Sequence, residues 1–165
     1  MKNKVLIKAV LKLFFLVAVS SVSAQDTTGI KSLPPVTVKS STKKIPDRIW
    51  KSFSSYFTYP ENPRWFKANK NYLVKFMIYN EENRALFTKR GNLVYHISYG
   101  YEKNLPEDLR NQVKASYNGY EITRAIKVTE SNRIIWVVNL EKENELALIR
   151  IEGDEIEEIQ RLRSP

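Results

Sequence analysis

Arg84–Ile97 reads RALFTKRGNLVYHI, and sixty-two residues further on Leu146–Ile159 reads LALIRIEGDEIEEI. Each is an apolar strand, a turn containing Gly91 or Gly153, and a returning strand, the pattern of a β-hairpin. The register extends upstream without a gap, setting Asn71–Asn83 (NYLVKFMIYNEEN) beside Arg133–Glu145 (RIIWVVNLEKENE). Over Tyr72–Ile97 there are five identities: Glu81/Glu143, Ala85/Ala147, Leu86/Leu148, Gly91/Gly153 and Ile97/Ile159. Apolar residues also stay in phase at Val74/Trp136, Phe76/Val138, Ile78/Leu140 and Val94/Ile156. Self-similarity at a fixed offset predicts a repeated supersecondary unit.

Working outward, Ile45-Pro46-Asp47 reads as a helix opening, because proline suits the first turn and an acid complements the positive helix end. Ile49, Trp50, Phe53 and Phe57 follow at one-turn spacing. Pro60 and Pro63 end that helix, which leaves Trp65-Phe66 in a crossing to the sheet. Leu105-Pro106-Glu107 repeats the opening, with Leu109, Val113 and Tyr117 where Ile49, Phe53 and Phe57 stood, and Gly119 follows the last turn. Strands are expected at Tyr72–Tyr79, Arg84–Thr88 and Leu93–Tyr101, then at Glu121–Thr129, Ile134–Leu140, Leu146–Ile151 and Glu155–Ile159. The fold expected is α+β: a tandem repeat of two helix-plus-antiparallel-strands (αβββ) units, residues 45–101 and 105–163. Their helices pack on one face of the sheet and leave the other open to water.

Residues 1–24 read as a signal peptide. Lys2 and Lys4 make a basic start, Leu13–Val19 is apolar, and Val22-Ser23-Ala24 is a small-residue site with the cut expected after Ala24. The apolar run is too short for a membrane-spanning helix, which needs about 20 residues. The protein is therefore expected to be secreted or periplasmic. Residues 25–44, rich in Ser, Thr, Lys and Pro, read as a flexible linker. Val36-Thr37-Val38 within it could add an edge strand, although nothing nearby demands one. Residues 45–165 form the domain. The chain has no cysteine, which excludes disulfides, catalytic thiols and thiolate metal sites. Its formal charge of +9 falls to +5 once the four lysines before Ala24 are removed. Glu141–Arg163 carries eight acids and four bases, so the remainder is strongly basic.

The run I45-P46…W50..F53…F57, N62-P63-R64-W65, then Y72-L-V-K-F76, resembles the first half of the PepSY-like, β-lactamase-inhibitor-like (BLIP-like) family of exported bacterial proteins. L105-P106…V113…Y117-N-G-Y120-E-I122, then I134-I-W136-V-V138, resembles its second half. The likeness covers Ile45 to Ile159. It implies helix-plus-sheet repeats with a concave sheet face and a non-catalytic role in the envelope. It does not carry inhibition of a β-lactamase. None of the inhibitor's contact residues maps onto a position here, and proven inhibitors of that kind have disulfides.

No catalytic set is legible. His96, the only histidine, sits mid-strand without a Gly-x-Ser-x-Gly elbow or Ser-x-x-Lys box to support it. The acids Glu152, Asp154, Glu155, Glu157 and Glu158 surround Gly153 but lack a calcium-loop pattern, so no metal and no cofactor is expected. Glycines are scattered, which excludes a phosphate cradle, and no nucleic-acid reading motif is present. What remains is surface. Outward strand positions are more apolar than solvation requires, and the binding candidates are Lys75, Met77, Tyr79, Tyr95, Ile135, Val137 and Asn139. The facing of Leu93–Tyr101 stays open: its tyrosines suit core or interface, while the pairing of Val94 with Ile156 argues the opposite orientation. The function expected is a non-catalytic binding module that holds a protein or peptide on the open sheet face, in one form as an inhibitor. One alternative is an envelope protein meeting anionic glycan or lipid through its basic surface, and another is a small hydrolase using His96. The oligomeric state is not legible.

Overall fold

The computed structural model describes residues 38–39 and 44–163. The expected signal peptide and most of the expected linker lie outside the described residues. The elements run β1 (Val38–Lys39), α1 (Asp47–Tyr56), β2 (Glu61–Ala68), β3 (Asn71–Ile78), β4 (Glu81–Phe87) and β5 (Leu93–Gly100). After a 3-10 turn at Glu102–Asn104 come α2 (Glu107–Ser116), β6 (Glu121–Glu130), β7 (Arg133–Lys142), β8 (Glu145–Glu152) and β9 (Glu155–Arg163). The nine strands among the described residues form one antiparallel sheet whose spatial order is the sequence order.

This corrects the expected architecture. Among the described residues the protein is mainly one continuous antiparallel sheet with two ten-residue helices, not a tandem array of αβββ units. Two features account for the difference. Glu61–Ala68, expected as a crossing because of Pro60 and Pro63, is a strand paired with β3; the register shifts between Glu61 and Arg64, and that irregularity accommodates Pro63. Then β5 pairs directly with β6, from Tyr95↔Glu130 to Gly100↔Ala125, which joins the two segments expected as separate repeats.

Each helix begins directly after a proline (Pro46, Pro106) and carries acid in its first turn: Asp47 in α1, Glu107 and Asp108 in α2. The one-turn spacing of Ile49 and Phe53 gives α1 a single apolar face. That face packs with Phe57 onto Trp65 of β2, Val74 and Phe76 of β3, and Ala85 and Phe87 of β4. Phe53 is the hub, its ring centroid 5.0 Å from Phe76 and 5.2 Å from Trp65, both edge-on. A second core gathers Leu105 and Val113 against Ile122, Trp136, Val138, Leu140, Ala147, Ile149 and Ile151.

The register settles the facing of β5. Phe87 pairs with Leu93 but Leu86 pairs with Tyr95, so Val94 is an extra, bulged residue. Leu93 therefore packs on the α1 core, while beyond the bulge Tyr95, Ile97 and Tyr99 face away from the helices and His96, Ser98 and Gly100 face toward them.

Candidate functional site

Residues paired across antiparallel strands share a sheet face. On the face turned from the helices the pairings chain into a single row: Arg64, Lys75, Arg84, Ile97, Val128, Ile135, Glu152, Glu155. The row is basic on β2–β4, apolar on β5–β7 and acidic on β8–β9. A parallel row runs Tyr99, Ile126, Val137, Arg150, Glu157. The apolar centre of both rows is buried, although it lies opposite the helices: Ile97 is 5 % exposed and Val137 4 %.

The two charged ends are not equivalent. At the acidic end Glu152 is ion-paired with both Arg133 and Arg150, and Arg150 also reaches Glu157 at 3.4 Å. At the basic end Glu82 accepts from Arg84 Nε at 2.7 Å, and among the described residues Arg64 and Lys75 have no ion-pair partner. Burial and the neighbouring Arg84 and Arg64 guanidiniums hold the Lys75 ammonium below its usual range, with Glu82 opposing them only in part. These cations line a groove of about 720 Å³ whose other walls include Phe66 and Met77. Lys75 Nζ lies 5.6 Å from the Phe66 ring centroid.

A smaller cleft of about 260 Å³ opens on the helix side of the sheet, lined by Glu81, Asn83, His96, Ser98, Lys127 and Thr129 among others. Asn83 is buried and fixes its amide by donating from Nδ2 to the Glu81 carbonyl at 2.8 Å. Its Oδ1 is therefore turned to His96 Nε2, 2.9 Å away, which assigns the proton of the neutral imidazole to Nε2. Burial, then the Lys127 charge, lower the His96 pKa to about 4. Phe57 meets the imidazole edge-on at 4.8 Å. Among the described residues no carboxylate is bonded to this ring, so the pair that a His96-based hydrolase would need is missing. Among the described residues there is also no cluster of three or more His, Asp or Glu suited to a metal.

The structure brings six of the seven sequence candidates to one face. Lys75 and Met77 stand on β3, Tyr95 on β5, and Ile135, Val137 and Asn139 on β7. Tyr79 is not among them: it sits in the β3–β4 turn at positive φ, largely exposed, and contributes to the His96 cleft. Ile135 and Val137 are on the expected face but buried, so they form its floor; Lys75, Met77, Tyr95 and Asn139 are the partly exposed members. Sequence reasoning missed Arg64 and Phe66, which flank Trp65 on the opposite face of β2. The alternation R-W-F-K-A was the available signal, masked by the prolines before it. Glu82 and Arg84 were missed as site residues because only the register places them opposite Met77 and Lys75.

No protein-family model matches the sequence, and no curated protein matches it. Solved structures do. A DUF2874 family protein from Bacteroides uniformis ATCC 8492 superposes with a TM-score of 0.56 at 14% identity, over 73% of this chain and 90% of that one. A protein from Bacteroides eggerthii DSM 20697, provisionally described as periplasmic, gives 0.56 at 15% identity over 73% and 89%. A BLIP-like protein from Bacteroides fragilis NCTC 9343 gives 0.57 at 14% identity over 78% of this chain and 89% of that one. The chain thus has the fold of the BLIP-like proteins, and the resemblance read in its sequence holds at that level.

Proposed function

We propose that this protein is an exported, periplasmic, non-catalytic binding module that holds a protein or peptide partner on the sheet face turned away from α1 and α2. The observation that carries this reading is the cross-strand row with charged ends and an apolar centre. The apolar centre is already buried and forms the floor, so a partner would meet the partly exposed Lys75, Met77, Tyr95 and Asn139 around it. The sheet supplies that arrangement on rigid strands, where the contact geometry is fixed before a partner arrives. The His96 cleft favours the same conclusion from the other side, since its pKa is lowered to about 4 and its ring has no acid partner among the described residues. The BLIP-like fold agrees with protein binding, and the basic, apolar start of the chain agrees with export. Among the described residues no helix is long and apolar enough to cross a membrane.

Site-specific photo-cross-linking in the native envelope tests the reading. A photoreactive side chain at Met77 or Asn139 should trap one partner band, and the same group at Lys51 or Lys114 on the helices should not. Trapping from the helix positions alone would overturn the face assignment.

A further inference from the structure

We propose that the groove walled by Arg64, Phe66, Lys75, Met77 and Arg84 is a subsite for a carboxylate-bearing, partly apolar extended peptide: the partner presents an acidic side chain here, next to an apolar one. The inference rests on the binding-module reading and names the chemistry of its occupant. Three observations carry it together.

The first is charge. Arg64, Lys75 and Arg84 are consecutive cross-strand partners, so three basic residues stand side by side on neighbouring strands spaced about 5 Å apart. Like charges directly opposite one another destabilise a sheet. Among the described residues Glu82 is the one carboxylate in the groove lining, and it is paired with Arg84. A folded sheet that keeps such a row, with Lys75 offset only in part by Glu82 and Arg64 lacking an ion-pair partner among the described residues, has a place for an external anion. The acidic end of the same row is built differently, with Glu152 already met by both Arg133 and Arg150.

The second is shape. The cations line a concave groove of about 720 Å³. Such a volume takes a side chain or two of an extended segment, well beyond a lone inorganic anion.

The third is the apolar wall. Phe66 and Met77 share the groove with the cations, and the Lys75 ammonium lies near the Phe66 ring. A flat lipid headgroup layer or a glycan phosphate would use the charges and leave these two side chains unmatched. A peptide that alternates acidic and apolar residues uses both. Methionine adapts to varied apolar shapes, which suits a site that reads chemistry more than one fixed outline.

The test is a nuclear magnetic resonance titration of the whole protein with short capped peptides: alternating Glu-Leu, and as controls alternating Gln-Leu and Glu-Ser. Vesicles of phosphatidylglycerol form the anionic-membrane arm. The expected result is saturable binding of the Glu-Leu peptide, with shifts at the Met77 methyl and the Arg64 and Arg84 side chains. Both control peptides should bind at least about tenfold more weakly. Lys75→Glu should weaken Glu-Leu binding by a similar factor, and Lys75→Gln by less, while neither variant unfolds at a lower denaturant concentration than the parent. Equal binding of Glu-Ser would overturn the proposal, because it would reveal generic charge attraction. So would tighter binding to the vesicles, or indifference to Lys75→Glu. If Glu-Leu fails while cross-links still form from Met77 and Asn139, the acidic-peptide chemistry is wrong and the binding face stands. If those cross-links are also absent, both fall.

Discussion

Gly91 and Ser52 are in direct apposition: a β-carbon at Gly91 would stand 2.8 Å from Ser52 Oγ and 3.3 Å from the Arg48 carbonyl oxygen. The β4–β5 turn therefore rests on α1, and its closure by Gly91 N–H to the Thr88 carbonyl at 2.9 Å holds it there. Gly91 also has a φ of +92°, which side chains rarely adopt. Gly91→Ala should destabilise the fold by about 2–3 kcal/mol. Gly153, the corresponding turn residue of β8–β9, has a φ of +60°, but a β-carbon added there would meet nothing within 4 Å, so Gly153→Ala should cost only about 1 kcal/mol. Urea unfolding of the two variants checks the difference, and adding Ser52→Gly to Gly91→Ala should recover part of it.

Phe53 is fully buried and touches the rings of Trp50, Phe57, Trp65, Phe76 and Phe87. Truncating it removes ring contacts that span α1 and three strands. Phe53→Ala should cost about 3–5 kcal/mol and leave a cavity, whereas Phe53→Leu should cost well under half of that. Chemical denaturation gives the magnitudes, and equal losses in the two variants would contradict the packing described.

His96 makes stability depend on pH in a definite sense. Its folded pKa is lowered to about 4 from an ordinary value near 6.5, so the unfolded chain binds the extra proton first as pH falls. The favourable contribution is fully present above about pH 6.5 and drains away between there and pH 4. The loss is about 2 kcal/mol once the ring's partial contact with solvent is discounted. His96→Gln should flatten this part of the urea-midpoint profile relative to the parent, and carboxylate titration, common to both proteins, cancels in the comparison.

Lys75 predicts an opposition between binding and stability. Its charge is disfavoured first by burial and then by Arg84, with Arg64 adding to the effect. Lys75→Met should leave the free protein equally stable or firmer by roughly a few tenths of a kcal/mol, and should weaken any anionic partner. Parallel unfolding and binding measurements read both quantities; a clear loss of stability would contradict the crowding of cations along this row.

How far the sequence disclosed this molecule depends on which physical signal each segment carries. The helices were readable because Ile49, Phe53 and Phe57, and again Leu109 and Val113, recur at the period of a single buried stripe. The hairpins were readable because Gly91 and Gly153 punctuate alternating runs. Strand β2 was not, since Pro60 and Pro63 are normally strand breakers and the irregularity that tolerates them is a tertiary feature. The facing of β5 was not, because the bulge at Val94 switches the buried set from Leu93 to His96 halfway along, and no single alternation fits both halves. The same two omissions limited the site. Lys75 and Met77 could be named from β3 alone, whereas Arg64 and Arg84 enter only through the register, which sequence periodicity does not encode.

The order of the strands has a kinetic meaning. Every ladder joins strands consecutive along the chain, so no strand waits for a distant one to return; most closures span a tight turn, and α1 and α2 occupy the two longer links, before β2 and before β6. A polypeptide delivered end-first, as through a narrow translocation channel, could thus lay down its sheet in the sequence in which it emerges, each newly arrived segment docking on the one before.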